Sequence, residues 1–291
     1  PAWTGTQIID WPLAELVAFI DWTPFFAAWE LRGRFPAILE DPEVGEAATK
    51  LFADARSMLA KLVETKALAA RAVVAIQPAA RAGDDIVLAD GTRFLGLRQQ
   101  MVKKDKPNRC LADYIAQSND HLGMFWVTAG LGLDAIVARY EAEHDDYNAL
   151  LAKALADRFA EALAEALHKK VRTELWGYVP DEDLDLDTLF AERYSGIRPA
   201  PGYPACPDHT AKFTLFEQLD PGRIGCSITE HGAMIPAASV SGLYIAHPEA
   251  RYFGVGPIGK DQVEDYAARA EVGLAEAERR LRPNLAYDPD A

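Results

Sequence analysis

The order of the helix and strand signals constrains this chain most, because they come in blocks and lack the strand–helix alternation that a parallel sheet requires. GEAATKLFADARSMLAKLVE, Gly45 to Glu64, carries apolar residues at helical spacing. Strand signals follow: RAVVAIQ, then IVLADGTRFLGL, a hairpin in which Asp90-Gly91 offers the two positive-φ positions of a tight turn, then the buried run LGMFWVT at 122–128. Helical signals resume after Gly130 and Gly132 and run to about Glu143. Asp145 or Asp146 can cap the next helix, YNALLAKALADRFAEALAEALHKKVRTELWG, where Tyr147, Leu150, Leu151, Ala154, Leu155, Phe159 and Ala162 recur at three- and four-residue steps. This block pattern predicts an α+β fold with a mainly antiparallel sheet and flanking helices.

The two ends fit that frame. WPLAELVAFIDWTPFFAAWELRG reads as two helices meeting at a corner, with Thr23-Pro24 as cap and first helical residue and Asp21 in the corner itself. Towards the C-terminus Asp208 can start a short helix, HTAKFTLFEQL. GCSITEH, SVSGLYIAH and RYFGVG are strand candidates, and an amphipathic helix from about Asp261 is interrupted at Gly273. No linker and no internal repeat divides the sequence, so residues 1–291 are expected to form one domain.

A formal net charge of -14 argues against nucleic acid, whose binding rests on Lys and Arg displacing counterions. Cys110, Cys206 and Cys226 are odd in number and widely spaced, which predicts neither a disulfide framework nor a paired-thiolate metal site and fits a reducing cytoplasm. No basic-then-apolar leader is visible and no apolar run reaches the roughly 20 residues of a membrane span. A start at Pro1 reads as a trimmed initiator or as a piece of something longer.

Several motifs fail on context. TAGLGLDA fits a GxGxxA dinucleotide loop, but the second strand that such a loop needs about 20 residues later is replaced by the long helix. The histidines at 121, 144, 168, 209, 231 and 247 lack metal-ligand spacing, and neither GxSxG nor a P-loop occurs. Lys153, Asp157, Glu161, Glu165 and Lys169, every fourth residue of the long helix, read as a solvated salt-bridging edge.

SGIRPAPGYPACPDHTAK, residues 195–212, is different. Pro199, Pro201, Pro204 and Pro207 fix φ and remove four backbone donors, so the segment is expected to run as a stiff extended or turning loop. Arg198 offers a planar fork to a carboxylate, Gly202 permits close approach to the backbone, and Tyr203 supplies an aromatic face. The set suits a small zwitterionic ligand with a planar ring. The plainer alternative is a stiff connection with Arg198 paired to a nearby acid such as Glu192.

DWTPFF, GDDI, CLADYIA, EHDDYN, KALADRFAEALAE, WGY, GIRPAPGYPACPDHT, ASVSGLYIAHP and DQVEDYA occur in an order that resembles the C-terminal activation module of cobalamin-dependent methionine synthase, across essentially the whole chain. The resemblance implies a twisted antiparallel sheet with flanking helices, unlike a Rossmann methyltransferase. It implies an S-adenosylmethionine-binding module that helps return oxidised cob(II)alamin to methylcobalamin, with a flavodoxin-like protein as electron donor. The family's RxxxGY signature falls on Arg198, Gly202 and Tyr203. By resemblance Arg198 holds the ligand carboxylate, the backbone from Ala200 to Tyr203 holds the adenosine portion, and Asp21, Glu161 and Tyr252 meet other parts of the ligand, with Glu192 and His209 as supporting positions.

The complete family enzyme also carries homocysteine, folate and cobalamin modules, and no DxHxxG cobalt-ligand motif occurs here: Asp120-His121 and Asp208-His209 have the wrong spacing. The chain is therefore expected to act on cobalamin held by a partner module, in the same parent chain or in trans, and not to make methionine alone. The alternative is a sensing or docking domain that binds S-adenosylmethionine without donating its methyl group. Lys103, Lys104 and Lys106 form a basic cluster that an acidic flavodoxin could meet, or an ordinary solvated loop.

Overall fold

The computed structural model of the chain describes residues 1–104 and 106–290. In chain order its elements are β1 (Gly5–Trp11), α1 (Leu13–Leu16), α2 (Thr23–Ala28), α3 (Gly45–Thr65), β2 (Ala69–Ala82), β3 (Asp85–Leu88), β4 (Arg93–Phe94), β5 (Asp120–Leu131), α4 (Leu133–Ala142) and α5 (Asp146–Lys170). Then come α6 (Leu186–Phe190), α7 (Ala211–Leu219), β6 (Ser227–Ile228), β7 (Met234–Ile235), β8 (Ser239–Tyr244), α8 (Lys260–Arg269) and α9 (Leu274–Arg280). Among the described residues no helix is long and apolar enough to cross a membrane.

The main sheet runs β4-β3-β2-β5-β8, with β1 added to the same edge of β2 that β3 uses further along, and every pairing is antiparallel. Strand β2 is long enough to take two partners on one side, Gly5–Trp11 against Ile76–Ala70 and Asp85–Leu88 against Ala82–Ala79. Both faces of the sheet are covered, which is why LGMFWVT reads as a continuous apolar run. Val74 and Phe125 lie opposite each other and pack towards α3 and α5, whereas Val73 and Trp126 point into a second cluster with Leu215 and Leu219 of α7.

Local chemistry explains the main joints. Asp145 caps α5 by accepting the Asn148 N–H at 3.0 Å. Gly132, at φ +96°, makes the turn from β5 into α4, and a Cβ there would sit 2.3 Å from the Ala67 carbonyl oxygen. Gly132 of TAGLGLDA thus serves the tight strand-to-helix turn, whereas Gly130 lies within β5, where a Cβ would stand 2.5 Å from the Pro236 side chain.

Three local expectations are corrected, and one strand was not anticipated. GTQIIDW forms β1, although its adjacent Ile8 and Ile9 break the strand alternation that would announce it. In the β3–β4 hairpin Gly91 has positive φ and Asp90 does not; Asp90 instead accepts the Thr92 N–H, in a wider turn. GCSITEH contributes only the two residues of β6, and RYFGVG forms no strand. The N–H of Val255 within it is taken by the Pro204 carbonyl at 2.8 Å, so that stretch is tied to the proline segment and does not join a ladder.

The proline segment lies along the free edge of β8. Ile197 exchanges both backbone bonds with Ile245 at 3.0 Å, and the Pro199 carbonyl accepts the Leu243 N–H at 2.8 Å. Proline can serve an edge in this way because it accepts without donating. Close approach depends on Gly242, where a Cβ would stand 2.6 Å from the Pro199 oxygen and 2.9 Å from the Phe125 ring. Gly242→Ala is expected to cost about 1–3 kcal/mol by overpacking. Urea denaturation measures it, and an unchanged midpoint would show that the segment is free to move away.

Candidate functional site

A cavity of about 500 Å³ opens between the proline segment, α5 and the chain around Tyr252. Its wall includes Arg198, Ala200 and Tyr203 from the proline segment, Glu161 from α5, Glu192 from the loop after α6, and Tyr252 with Gly254. Phe125 and Val240 contribute the sheet's side of the wall.

Six of the nine positions singled out in the sequence therefore line one cavity: Glu161, Glu192, Arg198, Ala200, Tyr203 and Tyr252. Gly202 and His209 stand just behind it. At φ +89° Gly202 closes the turn in which its N–H donates to the Cys206 carbonyl, and a Cβ there would lie 2.2 Å from the His209 ring. Asp21 is not among the lining residues; its carboxylate accepts the Thr23 N–H at 2.9 Å, in the corner between α1 and α2, both of which pack on α5.

The expected solvated stripe on the long helix is corrected. Steps of four residues advance about 40° beyond a full turn in an α-helix, so the stripe winds around α5. Lys153 and Asp157 are exposed, Glu161 is half-buried and Glu165 is only 7% exposed. The row that faces inward is Glu161, Glu165, His168 and Arg172, at alternating four- and three-residue steps. Arg172 falls in the wider π turn, Val171–Leu175, that ends the helix.

The suggested Arg198–Glu192 pairing is corrected as well. Arg198 donates through one terminal nitrogen to Glu165 and through the other to Nδ1 of His168, both at 3.1 Å. Its backbone N–H donates to the Tyr252 hydroxyl at 2.9 Å, and that hydroxyl also lies 2.9 Å from the Tyr194 hydroxyl. Beneath Tyr194, Arg172 places its guanidinium 4.4 Å from the ring centre and makes a two-pronged, fully buried pair with Glu182 at 2.6 and 2.8 Å. Sequence reading missed His168, Arg172, Tyr194 and Glu182 as parts of the site; the row of polar side chains on the buried face of α5 was the available signal.

Charge is distributed unevenly. Burial works against the Arg198 charge, but Glu165 and the surrounding tyrosines outweigh it and hold the guanidinium firmly protonated. Burial also raises the Glu161 carboxyl, against the pull of Arg158 and Arg198, and it raises Glu192 against Arg198. Tyr252 is likewise pushed up by burial, so its hydroxyl keeps its proton for hydrogen bonding. The cavity thus offers a cationic fork on one side and carboxylates short of counter-charge on another.

A second cavity, about 440 Å³, lies behind the same proline segment between the sheet and the α8–α9 pair. Most of its charged side chains already have partners: Asp208 accepts from Tyr266 and Thr210, Glu276 pairs with Arg279 and Arg280, and Arg93 pairs with Asp85. In the first cavity Glu161 and Glu192 have neither a hydrogen-bonded nor an ion-paired side-chain partner among the described residues, burial raises both carboxyls, and both share the wall with the Arg198 fork; for that reason it is the candidate site.

The chain matches the family described as vitamin B12 dependent methionine synthase, activation domain, over residues 12–271. It is also similar to a solved structure titled "Crystal Structure of the MetH Reactivation Domain bound to AdoHcy", with 48% sequence identity and a TM-score of 0.94, over 98% of this chain and 92% of that one.

Proposed function

Since the chain belongs to the activation-domain family of vitamin B12-dependent methionine synthase, we propose that it binds S-adenosylmethionine in the cavity beside the proline segment and presents the methyl group to cobalamin carried by a partner module. The observation that carries this reading is the pairing of opposite functions in one cavity, the Arg198 fork and the cation-deficient Glu161. S-adenosylmethionine needs both: its carboxylate suits Arg, and its ammonium and sulfonium suit carboxylates and aromatic faces such as Tyr203 and Tyr252. That the neighbouring structure is described as bound to AdoHcy, the demethylated form of this ligand, supports the same choice.

The chain's own contribution to methyl transfer is placement. A sulfonium is already an activated donor, and a cobalt centre reduced by one electron from cob(II)alamin is a strong nucleophile, so no general base is required. The methyl carbon leaves sulfur as it bonds to cobalt, both electrons of the new bond come from the metal, and S-adenosylhomocysteine remains in the site. The electron is supplied by a flavodoxin-like donor; Lys104 and Lys106 are exposed and available to an acidic partner, while Lys103 is engaged with Gln99. The site acts as part of one unit, residues 1–291, in the cytoplasm, where Cys110, Cys206 and Cys226 stay unpaired as they are in the structure.

Calorimetric titration with S-adenosylmethionine tests the reading. Saturable binding at neutral pH is expected, and so is proton release at mildly acidic pH. The sign follows from Glu161: burial raises its pKa in the empty site, and an adjacent cation lowers it again. Affinity is therefore full above the empty-site pKa and falls as pH drops through it, with protons released on binding in that window. Glu161→Gln reduces the release, as read from titrations in buffers of different ionisation enthalpy. A folded wild-type chain that does not bind overturns the assignment. Binding without methyl transfer to a partner carrying reduced cobalamin reduces the role to sensing or docking.

A further inference from the structure

His168 is a buried histidine that the reaction described above does not use. It sits on α5, one turn beyond Glu165, and is fully buried. One face of its ring stacks on Tyr244 with centroids 5.0 Å apart and planes at 20°, and Tyr194 meets it edge-on at 4.7 Å. The ring therefore has little freedom to turn. Burial, and then the charges of Arg198 and Arg172, hold it neutral, so its Nδ1 is free to accept from Arg198 while the proton resides on Nε2.

That arrangement is a poor choice for packing alone. Nε2 is buried with no hydrogen-bond partner among the described residues, and a phenyl ring would fill the same stack without burying a polar atom. What the imidazole adds is a single acceptor, and Arg198 takes it. Glu165 anchors the guanidinium through one terminal nitrogen only, about which the plane can pivot. The bond to His168, made through the other terminal nitrogen, fixes that plane.

We propose that His168 is a positioning residue for the carboxylate end of the substrate: it sets the plane of the Arg198 fork, and so governs how strongly the site distinguishes an α-amino acid sulfonium from one without the carboxylate. The inference rests on the reading that Arg198 holds the ligand carboxylate. A neutral acceptor suits the task, since a second carboxylate at this point would compete with the ligand for the fork, and a cation would repel it.

Titrating the full chain with S-adenosylmethionine and with its decarboxylated analogue tests this, because the two ligands differ only in that group. The wild type is expected to prefer the carboxylate-bearing ligand at least about 100-fold, in keeping with a charge-assisted bidentate contact. His168→Phe, which keeps the aromatic stack, is expected to lose most of that preference while binding the decarboxylated analogue within about threefold of the wild type. His168→Asn, whose amide oxygen can stand in for Nδ1, retains a larger share of it. His168→Leu carries the test if the phenyl variant does not fold, as followed by thermal melting. Equal weakening towards both ligands, or an unchanged preference, overturns the positioning role. A wild type with no preference, or a preference that survives Arg198→Ala, overturns the carboxylate assignment of Arg198 and this inference with it.

Discussion

Arg198→Ala is expected to weaken S-adenosylmethionine binding at least about 100-fold, the consequence of losing two hydrogen bonds between charged groups at about 1.5–3 kcal/mol each. The loss extends to the empty protein. Glu165 is 7% exposed and takes its hydrogen bond from Arg198, so the variant leaves a buried carboxylate without a counter-charge. A destabilisation of about 3 kcal/mol is expected to follow. Arg198→Lys separates the two effects, since it keeps the charge and loses the fork; its binding defect should fall between those of the wild type and the alanine variant. Calorimetric titration with a parallel urea melt gives both numbers. Affinity within about threefold of the wild type in a folded Arg198→Ala chain would mean that the ligand carboxylate is held elsewhere.

The largest effect on stability is expected at Arg172, away from any direct contact with ligand. Its guanidinium is fully buried, makes a two-pronged pair with Glu182, and lies against the Tyr194 ring. Arg172→Ala strands Glu182 in the interior at a cost of about 3–5 kcal/mol, enough to unfold many proteins of ordinary stability. The double variant Arg172→Met, Glu182→Leu removes both charges and fills the space, and it should recover most of that loss. Urea denaturation of the single and double variants decides the matter: if the double is as unstable as the single, pairing is not what holds this region. Ligand binding gives an independent view, because Tyr194 relays the position of Arg172 to Tyr252 and the Arg198 backbone.

How much of this was legible in the sequence follows the range of the interactions involved. Features fixed within a few residues read well: the Asp145 cap, the Gly132 turn, the helical spacing of α3 and α5, and the stiffness of the proline segment. Features set by tertiary partners did not. β1 owes its conformation to pairing with β2 some 65 residues later, and RYFGVG, apolar enough for a strand, has a backbone donor captured by Pro204. The Arg198–Glu165 pair joins residues 33 apart, and only packing of the proline segment beside α5 selects Glu165 over the nearer Glu192. Much of the candidate site was reached through resemblance, residue by residue. The network beneath it, from Glu182 through Arg172 and Tyr194 to Tyr252, starts from a row of polar side chains on the buried face of α5; the count of every fourth residue touched only Glu161 and Glu165 of that row, assigned both to solvent, and passed over His168 and Arg172.

The carbonyl of Pro199 and the two bonds of Ile197 fasten the proline segment to β8 before any ligand arrives. Four prolines leave that wall few backbone rotations to surrender, so binding should freeze little of the chain and the entropic loss should fall mainly on the ligand. A ligand meeting a wall already set in place draws its free energy from contact instead of from ordering a loop. Such a site can bind and release repeatedly with its shape unchanged, which suits a module whose product must leave before the next methyl donor enters.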